Sequence, residues 1–135
     1  MFSKKKQPPI KSLIAQGTRV AGNVLFEDGL RIDGEVEGDI RVDNGGTSLL
    51  VVSELAKVTG SIQAGHVIIN GWVKGPVTAT DLLELQPKAR IEGDVSYKAL
   101  EMHQGAMISG QLQPMTDGEA VDDDKPTLKL AANNS

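Results

Sequence analysis

The sequence holds few side chains that could carry out chemistry. Its only two histidines are His66 and His103, and it has no cysteine. Histidine is the commonest general base, but neither residue has a carboxylate or nucleophile at a spacing that marks a catalytic site. The lack of cysteine excludes a disulfide scaffold, a thiolate metal site and a cysteine nucleophile. We therefore expect both histidines to be surface or corner residues, and we predict no enzyme activity, no metal and no cofactor.

Phosphate-binding and catalytic acidic motifs are also missing. The Gly-x-x-x-Gly spacings at Gly34/Gly38 and Gly71/Gly75 are neither a P-loop nor a dinucleotide fingerprint, so no nucleotide is expected. The acidic residues that come nearest to a cluster alternate with aliphatic ones, namely Glu35, Glu37, Asp39 and Asp94. Such alternation indicates the solvated face of a β-sheet and not an acid/base pair.

Charge divides the chain into three parts. Residues 1–15 carry four lysines and no acid, residues 114–135 carry five acids and two lysines, and the net charge is −4. The acidic balance argues against nucleic acid as a partner. We predict a disordered basic tail over 1–15, a folded domain over 16–113 and a disordered acidic tail over 114–135.

The middle of the chain is an internal repeat. Four stretches share the pattern small-x-aliphatic-x-Gly-x-aliphatic, at 18–24, 56–62, 89–95 and 106–112. One glycine marks each of six units, and these glycines are Gly22, Gly38, Gly60, Gly75, Gly93 and Gly110. The steps between them run from 15 to 22 residues, and the longest contains the turn-rich stretch 43–48, which we interpret as an insertion at a corner.

This period predicts an all-β solenoid. Roughly 17 to 18 residues supply three short strands, whose alternation places aliphatic side chains inside and polar ones outside. Stacked coils then form three parallel sheets around a narrow aliphatic column, which explains why the sequence has only four aromatic residues. Pro76 and Pro87 lack an N–H for a ladder and are assigned to corners. An antiparallel sandwich would also be all-β, but it gives no reason for one motif to recur six times.

The repeat resembles the bactofilin family over about residues 14–113. The resemblance is carried by the runs 30–40, 67–75, 85–95 and 105–110, and the first of them begins with Leu30-Arg-Ile-Asp-Gly. It implies a right-handed, three-sided parallel β-helix of about six coils and a bacterial cytoskeletal scaffold. It further implies self-assembly without nucleotide, end to end, head-to-head and tail-to-tail, into non-polar filaments that localise cell-shape or cell-wall machinery. Cell-wall or morphogenesis proteins are therefore expected partners.

Polymerisation is also expected from the residues themselves. A solenoid of six coils leaves strand edges and an open aliphatic cross-section at both ends unless polar caps or helices cover them. Neither terminal segment predicts a helical cap, because both are polar and contain proline. The interface residues predicted at the C-terminal end are Leu100, Met102, Met107, Ile108 and Leu112. Those predicted at the N-terminal end are Val20, Val24, Phe26 and Leu30.

The first six residues suit an anionic membrane surface. Met1 and Phe2 can enter the headgroup boundary while Lys4, Lys5 and Lys6 contact anionic lipid. This contact, which the resemblance supports, predicts a cytoplasmic protein that is peripheral on the inner face of the cell membrane. A solvated basic tail is the simpler alternative.

Two other functions remain open at this point. A β-solenoid adaptor that does not polymerise could bind a partner through Trp72 and Lys74, because an exposed tryptophan is a common anchor. Trp72 is expected to face outward. A hexapeptide-repeat acyltransferase is a less fitting alternative, since its strict six-residue step is absent.

Overall fold

The computed structural model describes residues 8–43 and 47–115, which form fifteen strands and, within those two ranges, no helix. The strands are β1 (Ile10–Ile14), β2 (Arg19–Ala21), β3 (Val24–Phe26), β4 (Gly29–Ile32), β5 (Glu35–Glu37), β6 (Ile40–Val42), β7 (Leu49–Val52), β8 (Lys57–Thr59), β9 (Ile62–Ile69), β10 (Trp72–Lys74), β11 (Val77–Leu85), β12 (Arg90–Glu92), β13 (Val95–Met102), β14 (Met107–Ser109) and β15 (Leu112–Pro114). All of their pairings are parallel.

The strands stack on three sides. Side 1 contains β1, β4, β7 and the second halves of β9, β11 and β13; side 2 contains β2, β5, β8, β10, β12 and β14. Side 3 contains β3, β6, the first halves of β9, β11 and β13, and β15. One pass over the three sides makes a coil, and the six coils span 10–26, 29–42, 49–64, 66–79, 82–97 and 99–114. The predicted all-β solenoid of about six parallel coils is confirmed.

The core is a column of small aliphatic side chains. On side 2 each strand contributes its central residue, in the order Val20, Val36, Val58, Val73, Ile91 and Ile108. The four middle members of this row are at most 1% exposed, whereas the first and last are only half-buried. The flanking residues of each three-residue strand point outward, which is the predicted alternation.

One corner of every coil is occupied by glycine. The six repeat glycines all lie between side 2 and side 3, so each marks the same corner of its coil. Gly60 and Gly75 have φ values of +146° and +147°, which side chains rarely tolerate. A Cβ at Gly60 would also overlap the carbonyl oxygen of Gly38 in the coil below. The coils therefore approach each other at this corner as closely as their backbones allow.

Side chains next to the glycines continue the hydrogen bonding around this corner. The Oδ1 of Asn23 accepts from the backbone N–H of Asp39 at 2.9 Å, and the Oδ1 of Asp39 accepts from the N–H of Ser61 at 3.0 Å. The bond from Ser61 holds the pKa of the Asp39 carboxyl below its ordinary value of 3.8. These residues connect coils 1, 2 and 3 where the strands are interrupted.

The amino-terminal boundary of the folded domain differs from the prediction. Strand β1 pairs with β4, so the solenoid begins at Ile10, inside the segment 1–15 that was predicted to be a tail. Lys11 also forms an ion pair with Asp28 at 2.6 Å. Four of the five side chains of β1 are exposed, and such a strand lacks the alternation by which the others were recognised. The segments 1–7 and 116–135 lie outside the described residues.

The predicted insertion lies at a corner between coils. Six residues separate Val42 from Leu49, whereas two separate Phe26 from Gly29 at the equivalent corner one coil earlier. Residues 44–46 are outside the described ranges, but the buried Ser48 hydroxyl accepts a hydrogen bond of 2.8 Å from the N–H of Gly65. The end of the insertion is thus bonded to β9 at the point where coil 3 passes into coil 4.

The glycine corner gives a testable prediction. We expect Gly60→Ala to lower the free energy of unfolding by about 3 kcal/mol, because it adds a backbone collision to an unfavourable φ. Gly22 has a φ of +139° at the same corner of the first coil, where a Cβ meets nothing within 4 Å. Gly22→Ala should therefore cost only about 1 kcal/mol. Denaturant unfolding at low protein concentration measures both, and equal losses would contradict the collision argument.

A second prediction concerns pH. A carboxyl whose pKa is lowered in the folded state contributes stability above its ordinary pKa, and the contribution is lost as the pH falls below that value. Asp39→Asn keeps the acceptor oxygen, as Asn23 shows, but removes the charge. We expect the wild type to be more stable than this variant at pH 7 and the difference to shrink towards pH 3. Melting temperatures measured across this range test it, and a constant difference would exclude the proposed role of the Asp39 charge.

Candidate assembly surfaces at the two ends

The first and last coils expose unpaired strand edges. In the described part of the chain β2 pairs only with β5, and β14 only with β12. The same holds for β1 and β3 at one end and for β15 at the other. Each edge presents backbone N–H and C=O groups in the geometry that a further parallel or antiparallel strand would need. We call these two surfaces the N-terminal face and the C-terminal face.

The C-terminal face exposes apolar side chains that continue the core. Leu100 and Ile108 are half-buried, and Met102 and Leu112 are 46% and 47% exposed. Their counterparts one coil inward, Leu83, Leu85, Ile91 and Val95, are at most 1% exposed. The difference in exposed fraction shows how much of each side chain the following coil covers in the interior of the solenoid. All four residues therefore lie at the end of the column, and their role as an interface stays a prediction.

Met107 is placed differently from the other four residues. It pairs with Arg90 in an outward-facing row of side 2 and is 57% exposed. Its side chain therefore lies on the lateral surface at the rim of the last coil and not in the aliphatic column. Sequence spacing misplaced it because Met107 and Ile108 are adjacent, and adjacent residues of a strand face opposite sides.

The N-terminal face is smaller than predicted. Val20 and Val24 are half-buried in coil 1, and Phe26, in the same coil, is 6% exposed. Leu30 is 2% exposed because it belongs to coil 2 and lies under β1, opposite Ser12. Leu30 is therefore not part of the end surface, and this error follows from the missed strand β1.

Two residues at the ends escaped the sequence analysis. Ile14 packs against the core in the same row as Ile32, eighteen residues later, and this spacing of one coil could have revealed it. Tyr97 packs against the core in the row of Ala79, next to the C-terminal face. Burial raises the pKa of the Tyr97 hydroxyl. Its row holds alanine in the preceding coil, so no repeat of residue type pointed to it.

Trp72 lies on the lateral surface, as predicted, and is 40% exposed. Its indole N–H donates to Glu92 at 2.7 Å, and the Nζ atoms of Lys57 and Lys74 lie 5.0 and 5.8 Å from the ring centroid. The Trp72 ring is therefore held against charged side chains of its own strand and of the two neighbouring coils, which gives it a structural role of its own.

The predicted membrane-binding residues Met1, Phe2, Lys4, Lys5 and Lys6 lie outside the described residues. Within the two described ranges there is no helix that could span a membrane.

Comparisons with known proteins agree with this architecture. The family model for bactofilins, described as polymer-forming cytoskeletal, matches residues 12–113. Bactofilin BacO of Myxococcus xanthus (strain DK1622) is 28% identical over 103 residues, covering 70% of this chain and 82% of BacO. Bactofilin BacP of the same strain is 23% identical over 101 residues, covering 75% of this chain but only 40% of the length of BacP.

A solved structure shows the same fold. The structure of the cytoskeletal bactofilin BacA, determined by solid-state NMR, superimposes with a TM-score of 0.67 at 32% identity. The match covers 77% of this chain and 95% of the BacA chain. The family match spans all six coils apart from the first residues of β1 and the last residue of β15. From the fold, the repeat and these matches, the chain belongs to the bactofilin family of polymer-forming cytoskeletal proteins.

Proposed function

We propose that this chain is a structural subunit, and not an enzyme, that assembles end to end through its two faces into filaments without nucleotide. The observation that carries the proposal is the exposure of Met102 and Leu112 at the C-terminal face, where the interior rows are fully buried. A second copy seated on this face would cover these side chains and pair the free strand edges. Burying one such side chain contributes about 1.5–3 kcal/mol.

Assembly of this kind needs no chemical energy source. Each added subunit buries apolar surface and forms strand hydrogen bonds, the same interactions that hold coil to coil inside the subunit. The free energy of filament growth therefore comes from the same kinds of contact that hold the fold together. For this reason we propose assembly without a nucleotide.

The proposal also specifies how neighbouring subunits are oriented in the filament. We assign head-to-head and tail-to-tail contacts, which make the filament non-polar, on the strength of the family resemblance. The two faces differ in their residues: Ile14, Val20 and Val24 lie at one end, and longer, more exposed side chains such as Met102 lie at the other. Two dissimilar self-complementary contacts are compatible with such different faces.

The proposed setting is the inner face of the cell membrane. The basic segment precedes β1, and β1 lies at the N-terminal face, so a head-to-head contact would bring together two β1 strands with the segments joined to them. One copy binds an anionic surface weakly, but the many copies along a filament multiply the affinity by about 10²–10⁴. A membrane-bound filament could then position cell-wall or cell-shape proteins.

Leu112→Arg tests the C-terminal face. We expect the critical concentration for filaments to rise by about 100-fold or more, because assembly would bury an unpaired charge. Negative-stain electron microscopy and light scattering measure this directly. Leu55→Arg is the matched control, because Leu55 is 60% exposed but lies in coil 3, far from both faces along the column. Filaments of normal length from Leu112→Arg would exclude this face as an interface.

The same variant distinguishes the two possible orders of subunits. In a non-polar filament the N-terminal contact survives, so Leu112→Arg should remain as a dimer. In a polar filament the single type of contact is lost, and the variant should be a monomer. Size-exclusion chromatography with multi-angle light scattering gives the mass, and a folded monomer would overturn the head-to-head assignment.

The membrane contact is tested with vesicles. Replacing Phe2 by Ser and lysines 4–6 by Gln should abolish co-sedimentation with phosphatidylserine-containing vesicles, because each lysine contributes about 1 kcal/mol. The control variant replaces Lys88, Lys98 and Lys129 by Gln, which removes the same charge elsewhere. If both variants form filaments and pellet equally with vesicles, the amino-terminal segment is not the membrane anchor.

A further inference from the structure

The register brings together residues that are far apart in sequence on the outer surface of side 1. Glu84 of coil 5 pairs directly with Glu101 of coil 6, and both side chains face outward. His103 follows at the next corner, where its backbone N–H donates to the carbonyl of Leu85 at 2.9 Å. His66 lies one coil below Glu84 on the same surface. The sequence predicted no carboxylate partner for either histidine, and Glu84 provides one for both.

The distances within this cluster fit shared ligation better than hydrogen bonding. The Nε2 of His103 lies 3.8 Å from Glu84 Oε2 and 3.8 Å from Glu101 Oε2. These separations are too long for hydrogen bonds. Two ligand atoms that each lie about 2.1 Å from one ion are separated by about 3 to 4 Å, so these atoms are spaced as ligands of a common metal are. One donor atom from each of the three residues lies within 4.8 Å of the other two.

Among the described residues, the negative charge of the two carboxylates and the ring nitrogen of His103 lack full compensation. Glu84 and Glu101 are like charges on adjacent strands, and their only ion pairs in the described ranges are with histidine. The His103 Nε2 is closed off from solvent and has no hydrogen-bond partner among those residues. A buried polar atom without a partner is costly. A divalent cation would satisfy the ring nitrogen and neutralise both carboxylates.

The surroundings of Glu84 resemble the outer shell of a metal site. The side-chain amide of Gln86 donates a hydrogen bond to Glu84 Oε2, and His66 Nε2 lies 3.8 Å from the other carboxylate oxygen. Partners of this kind orient a ligating carboxylate. Glu84 is 20% exposed, whereas His103 and Glu101 are 41% and 56% exposed, so the site opens to solvent on one side.

We propose that Glu84, Glu101 and His103 form a binding site for a divalent transition-metal ion that joins coils 5 and 6. Imidazole and carboxylate ligands together suit Zn²⁺ and its neighbours in the first transition row. The ion would hold the last coil, whose strands have a neighbour on one side only, to the coil beneath it. The site is built by side chains of the lateral surface and does not depend on filament assembly.

Zinc binding to the full chain, purified without a histidine tag, tests the proposal. Equilibrium dialysis with metal analysis should give about one high-affinity Zn²⁺ per chain. The chain has no cysteine and only two histidines, so few competing sites exist. His103→Ala and Glu84→Gln should each weaken binding by about tenfold or more. Glu54→Gln is the control, since Glu54 lies in coil 3, two coils below Glu84, pairs with Lys88 at 3.4 Å and should leave binding unchanged.

A second measurement distinguishes loss of the metal site from loss of the fold. Saturating Zn²⁺ should raise the melting temperature of the wild type and of Glu54→Gln, but not that of His103→Ala, because only a bound ion stabilises the native state. Circular dichroism without metal verifies that the variants are folded. Equal zinc affinity in wild type and His103→Ala, or no binding by the wild type, would overturn the proposal.

Discussion

The closeness with which one coil can approach the next governs this structure. At the corner between side 2 and side 3 the carbonyl of each glycine occupies the space that a Cβ in the following coil would need. Any larger residue would push the coils apart there and lengthen the strand hydrogen bonds on both adjoining sides. The glycine column therefore fixes the spacing that keeps the inward rows in register. The small aliphatic core, the straight rows of outward side chains and the open end faces all follow from that register.

Much of this was accessible from the sequence because the repeat reports the register directly. A glycine that recurs every 15 to 22 residues marks one corner per coil, and the alternation around it tells inside from outside. Strand β1 was missed because a strand at the edge exposes nearly all of its side chains and shows no alternation. That omission moved Leu30 to the end surface, although it is 2% exposed beneath β1.

The His103 cluster shows a different limit of sequence reasoning. Whether outward side chains of successive coils meet depends on the exact number of residues in each coil and not on the average number per coil. The insertion at 43–48 and the register shift between Ala79 and Leu82 in β11 both change that number locally. A histidine 37 residues from another could therefore not be matched with Glu84 without the pairing of β11 and β13.

The two halves of the solenoid differ in how side 3 joins side 1. In coils 3 to 6 the strands β9, β11 and β13 run through this corner without a break, whereas β3 and β4, and β6 and β7, are separate. A strand that continues through the corner ties the two sides directly, whereas a loop leaves their angle to the packing of buried side chains. The cross-section of coils 3 to 6 is therefore braced by backbone, while that of coils 1 and 2 depends on its core.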